Sequence, residues 1–120
     1  MTEANERRRF QRILFDAAAS IIRQRVTYAT SLIDISFKGA LLKAPADWPG
    51  KPGDEVTIEV ILNQADAVIT MHAVCAHEED QHIGVLCKEI DMESISLLRR
   101  LIELNIADEE QLQRDLEALG

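Results

Sequence analysis

Two short clusters in this 120-residue sequence carry side chains whose types and spacing can do chemistry. The first is Arg7, Arg8, Arg9 and Arg12, four guanidinium groups in the N-terminal stretch ERRRFQR. Arg8 and Arg12 are four apart, so on a helix they would share a face and repel. An anion held between them removes that repulsion. A planar guanidinium grips phosphate bidentately, bonds the acceptor edge of guanine and stacks on a base. The second cluster is DISFKG, from Asp34 to Gly39. On an extended backbone Asp34 and Ser36 point the same way, setting an acceptor-only carboxylate beside a hydroxyl. Gly39 permits a positive φ or the close approach of a ligand to the backbone. Taken separately, the first cluster reads as a solvated basic tail and the second as a plain turn.

The rest of the sequence limits what these groups can serve. The formal net charge is −8, and the last third is rich in Asp and Glu. A protein that wraps a long nucleic acid gains affinity by displacing counterions along a broad basic face. Positive charge here is local, in the arginine cluster with Arg23 and Arg25 further on, and suits a small, compact anion. Only five aromatic residues exist, too few for the stacking platforms of a single-strand-binding barrel. With 47% apolar and 28% charged residues, the composition is that of one globular domain. No apolar run is long enough to span a bilayer and no secretory leader is present, which predicts a cytoplasmic protein. Cys75 and Cys87 are too few for a disulfide framework and are expected as thiols.

The elements that must position the two clusters are mostly β. ILFDAAASIIR and VTYATSLIDIS flank a Gln24–Arg25 turn, and GALLKA follows Gly39. The Pro- and Gly-rich loop PADWPGKPGD leads into EVTIEVIL, whose Val56, Ile58 and Val60 alternate with polar residues as on a half-buried strand. NQAD reads as a turn before AVITMHAVCAH, and EEDQ as a turn before HIGVLCKEI. Short strands at this spacing without intervening helices predict a closed antiparallel barrel or a sandwich. The period then changes. Ile95, Leu98, Ile102 and Ile106, widened by Leu101, predict an amphipathic helix capped by Asp91 or Ser94 and ending near Asn105. A second helix is expected from Asp108, with Leu112, Leu116 and Leu119 as its stripe and Gly120 at its end.

Together, the R-x-x-x-R of Arg8 and Arg12 and the D-x-S-x-x-G of Asp34, Ser36 and Gly39 resemble the signature of the PilZ domain, over essentially the whole chain. The resemblance implies a mainly β fold: a six-stranded antiparallel barrel with C-terminal helix or helices. It divides one PilZ domain, 1–120, into an arginine arm at 1–12, a barrel at 13–90 and a helical segment at 91–120. It implies a bacterial receptor for cyclic di-GMP that is not an enzyme and has no other cofactor. Arg8 and Arg12 would meet phosphates and guanine acceptor edges, Asp34 the guanine donor edge, and Ser36 phosphate or base, with Gly39 clearing space. In the family, arginine at the position of Arg7 accompanies a stacked pair of ligands, so two cyclic di-GMP molecules per chain are expected. Arg9 belongs to the same arm. His77 stands where similar small PilZ proteins place a tryptophan, and is expected to contact the ligand with less stacking area. The expected partners are cyclic di-GMP and a downstream protein, with a monomeric chain, no polymeric nucleic acid and no membrane insertion.

Other readings of the same residues are weaker. A PilZ-like protein adaptor independent of nucleotide would have lost the two motifs, which this chain keeps. His72, Cys75, His77, His82 and Cys87 match no common zinc spacing, and His72 is expected on the strand face opposite Cys75 and His77. No nucleophile elbow accompanies Ser36.

Overall fold

The computed structural model describes residues 13–62 and 67–119. Six antiparallel strands close into a barrel in the order β1-β2-β3-β6-β5-β4. The strands are β1 (Ile13–Arg23), β2 (Val26–Ser36), β3 (Gly39–Lys43), β4 (Glu55–Leu62), β5 (Ala67–Glu79) and β6 (His82–Ile90). Because β3 neighbours β6 while β4 lies between β1 and β5, residues 44–54 must cross one end of the barrel. That loop is tied down by Ala44 N–H to the Gln81 carbonyl, by Gly53 N–H to the Cys75 carbonyl and Cys75 N–H back to the Asp54 carbonyl, and by Arg23 Nε to Asp54 Oδ2 at 2.9 Å. Trp48 packs edge-on against Tyr28 there, with ring centroids 5.0 Å apart. At that end the β1–β2 and β5–β6 hairpins turn on Gln24–Arg25 and Asp80–Gln81, all four at positive φ as in type I′ turns. Glu78 and Glu79, expected in the turn, instead extend β5. The NQAD turn lies outside the described residues.

Apolar alternation fills the interior. Ala19, Ile21, Leu32, Ile35, Leu42, Val56, Ile58, Val60, Ile69, Met71, Cys75, Ile83 and Val85 form one buried cluster. Both cysteines are free, and burial raises both thiol pKa values.

The opposite end carries a single helix, α1 (Met92–Leu119), where two were expected. No Gly or Pro lies between 92 and 119, so the cap-like residues at Asp108 sit inside an uninterrupted helix. Asp91 is the N-cap: its Oδ1 accepts the Ser94 N–H at 2.7 Å. Ser94, at the third helical position and buried, accepts the Thr70 N–H at 2.9 Å. Strand β6 ends at Ile90, opposite Met71, so the hydroxyl serves a β5 donor that the ladder no longer reaches. Leu98 and Ile102 enter the core, with Leu97, Leu101 and Ile106 packed against it. Farther along, Leu116 is 54% exposed.

Register irregularities decide which side chains face outward. Strand β2 carries an extra residue, Ile33, between the pairs Leu32–Leu42 and Asp34–Leu41. Leu32 and Ile35 can therefore both enter the core, which turns Asp34 and Ser36 to the outer face. Strand β5 carries an extra Ala76 between Cys75–Val85 and His77–Gly84. This bulge corrects the expected facing: Cys75 is buried, while His77 joins His72 among the exposed residues of the outer face.

Candidate ligand-binding face

Two parallel rows of cross-strand partners run over the outside of the barrel. The first passes from Asp34 through Leu41 and Gly84 to His77, across β2, β3, β6 and β5. The second passes from Ser36 through Gly39 and Leu86 to Val74. Directly paired residues share a face, so the D-x-S-x-x-G residues and His77 lie on one surface. Three inter-strand spacings separate Asp34 from His77, roughly 14 Å.

Asp34 and Ser36 are outward-facing yet only 7% and 5% exposed. Ser36 Oγ accepts the Lys38 N–H at 3.1 Å, which closes the two-residue β2–β3 turn and leaves the hydroxyl proton to donate. Neither Phe37 nor Lys38 has positive φ, unlike the residues of the β1–β2 and β5–β6 turns. The turn is further held by Cys87 N–H, which donates to the Lys38 carbonyl at 2.7 Å.

Gly39 serves a different need from the one its sequence position suggests. Its φ is not positive. A Cβ at this position would overlap the Val85 carbonyl oxygen and stand 3.2 Å from Leu86 Cα. The glycine is thus required for β3 to approach β6. Gly84, which sequence reasoning did not single out, bears on the site more directly, because the His77 imidazole covers it. The signal for Gly84 lies only in the pairing of β5 with β6.

Arg7, Arg8, Arg9 and Arg12 lie outside the described residues. The described chain enters the barrel at Ile13, whose partner is Ile35, the residue between Asp34 and Ser36.

A cavity of about 590 Å³ opens elsewhere on the outer face, bordered by Arg25, Thr57, His72, Lys88 and Glu89. It does not include Asp34 or Ser36. Its charges are mixed: Lys88 Nζ lies 3.5 Å from Glu55 Oε1, and Thr57 Oγ1 lies 3.1 Å from His72 Nδ1. Among the described residues, no three His, Cys, Asp or Glu side chains converge to hold a metal ion. Nor is any helix among them long and apolar enough to cross a membrane.

Comparison with solved structures finds this barrel in several proteins. The Bacillus subtilis inhibitor of motility, MotI, superposes with a TM-score of 0.67 at 15% identity, over 82% of this chain and 51% of that one. This chain therefore spans about half the length of MotI. The PilZ domain of CeSA, from a cellulose-synthesizing bacterium, gives 0.61 at 17% identity, over 77% and 94% of the two chains. An uncharacterized Legionella protein gives 0.54 at 14% identity, over 85% and 99%. At these identities the likeness is one of fold. The family model of the PilZ domain matches residues 6–104, a span that takes in the arginine cluster, all six strands and the first part of α1. This chain belongs to the PilZ domain family.

Proposed function

We propose that this chain is a receptor for cyclic di-GMP, which it holds between its N-terminal arginines and the outer face of the barrel at Asp34 and Ser36. PilZ domains are receptor and adaptor domains rather than enzymes, and cyclic di-GMP is their general ligand. The observation that carries the reading for this chain is the pairing of Ile13 with Ile35. Covalent continuity alone keeps Arg12 about 3.8 Å, Cα to Cα, from Ile13, and Arg8 within ~17 Å of it. Both can therefore reach a ligand seated on Asp34 and Ser36.

The roles follow from the groups. Arg8 and Arg12 take phosphates and the N7 and O6 edges of guanine through charge-assisted bonds. Asp34, an acceptor only, takes the N1–H and N2–H₂ edge. The Ser36 hydroxyl donates to phosphate or base, and His77 offers an imidazole face. Arg7 sets a stacked pair of ligands, two per chain, and Arg9 adds positive charge. Closing the arm over the ligand remodels this face, which a downstream protein then reads. The chain acts as a monomer in the cytoplasm.

Isothermal titration with cyclic di-GMP, with cyclic di-AMP as control, tests the reading on the wild type and on Arg8→Ala. Wild type should bind the guanine ligand selectively. Arg8→Ala should lose at least about 1.5–3 kcal/mol, the range for one bond to a charged group. A wild type that releases no heat would leave a nucleotide-independent adaptor. Equal binding by the two chains would misassign the site.

A further inference from the structure

Leu86 has no evident role in the barrel's stability. It is 57% exposed on β6, while its neighbours Ile83 and Val85 are buried. A lone exposed leucine needs no explanation, but the surroundings of this one are specific. Along its row it pairs with Gly39, and beyond Gly39 comes Ser36. Gly39 carries no side chain, so Leu86 is the first side chain met from Ser36 across the outer face. Along its own strand, two residues away, stands Gly84, and the space above Gly84 is filled by the His77 ring. Residues two apart on a strand are separated by about 7 Å and share a face. Leu86 and the His77 imidazole are therefore adjacent, and half-buried Val74 continues the surface on the far side of Leu86.

Accepting the reading of this face as a cyclic di-GMP site, we infer that Leu86 is a ligand-contacting residue: with the His77 ring it forms the apolar floor on which a guanine lies flat. Asp34 and Ser36 both stand at one edge of this face, on β2. Asp34 and Ser36 can bond the rim of a base, but neither offers area to its face. A purine held by its edge at β2 projects over β3 and β6. From Ser36 that path crosses Gly39, which has no side chain, and the first side chain under it is Leu86; the parallel path from Asp34 crosses Leu41 and then the His77 ring over Gly84. Affinity should then depend on the apolar character of position 86, not on its fit in the fold.

The test is titration of cyclic di-GMP into wild type, Leu86→Thr and Leu86→Met, with thermal unfolding of each. Threonine keeps strand propensity and removes most of the apolar surface, whereas methionine keeps surface of similar size. Leu86→Thr should bind about tenfold more weakly, as expected for losing part of a leucine's burial. Leu86→Met should stay within about threefold of wild type, and all three should unfold alike. Leu86→Thr binding within about twofold of a wild type that does bind would overturn the inference, as would an equal loss in Leu86→Met. A wild type that fails to bind would overturn the functional reading first, and the role of Leu86 with it.

Discussion

The imidazole of His77 lies over Gly84 on the neighbouring strand, so close that a Cβ at position 84 would overlap its Cε1 and stand 2.7 Å from Nε2. Gly84→Ala should therefore push the ring aside. The obstacle is the end of a flexible, exposed side chain, so barrel stability should change by no more than about 0.5 kcal/mol. Affinity for cyclic di-GMP should fall several-fold. Urea unfolding beside a titration separates the two effects, and a loss of stability without loss of affinity would contradict the expectation.

Gly39→Ala should behave in the opposite way. Its Cβ would meet backbone, the Val85 carbonyl, which cannot rotate away. Separating β3 from β6 is expected to cost about 2–3 kcal/mol, as for overpacking of a tight interior. The urea midpoint should drop accordingly, and ligand binding should be lost along with the fold. A Gly39→Ala chain as stable as wild type would return this glycine to a purely ligand-clearing role.

Asp34→Ala should weaken cyclic di-GMP more than cyclic di-AMP, because only guanine offers the N1–H and N2–H₂ donors to a carboxylate. Selectivity should narrow by about tenfold or more, the worth of one charged hydrogen bond. Arg7→Ala should instead change the count, from two cyclic di-GMP molecules per chain to one, as read from the titration's equivalence point.

Ser94→Ala removes the acceptor of the Thr70 N–H. Leaving that donor unpaired costs about 1–2 kcal/mol, partly offset by about 0.5 kcal/mol from alanine's better helix propensity. Net destabilisation near 1 kcal/mol is expected. Amide exchange at Thr70 should quicken more than at Ile58, deep in the barrel.

Two carboxylates give the fold a defined acid sensitivity. The backbone N–H of Lys51 and then the Arg23 side chain hold Asp54 below its ordinary pKa of 3.8. The hydroxyl and backbone N–H of Ser94 do the same for Asp91. A folded-state pKa below the unfolded one means that each contributes stability above pH 3.8, which is lost as the pH falls through the lower folded value. Asp54→Asn should be less stable than wild type at pH 6, and the difference should shrink below pH 3.8. A gap constant across that range would remove Asp54 from the account.

Strand boundaries were largely legible, because Gly, Pro and polar pairs mark the turns, and Val56, Ile58 and Val60 alternate cleanly. The apolar face of α1 was legible through Leu98 and Ile102 for the same periodic reason. Bulges were not. Nothing local distinguishes Ile33 or Ala76 from its neighbours, since a bulge arises from a mismatch between paired strands. Sequence parity accordingly grouped His77 with Cys75 instead of with His72. The sequence singles out Gly39 for a positive φ or a close ligand; its φ is not positive, and the group that demands a glycine there, the Val85 carbonyl, lies far along the chain. Asp108 and Gln111 look like a helix start in isolation, yet the preceding turns continue through them. The arginine cluster was conspicuous in the sequence and lies outside the described residues.

The continuous helix α1 is also a lever. It is fixed near its base, where Ser94 grips Thr70 and Leu98 and Ile102 seat in the core. Leu116 lies 22 residues beyond Ser94, about 33 Å along the axis. A tilt of about 10° at the base would carry Leu116 roughly 6 Å sideways. Two shorter helices joined by a hinge would absorb such a tilt at the joint. A single rod passes it on, so a sub-ångström change where α1 meets β5 is magnified several-fold at the far tip.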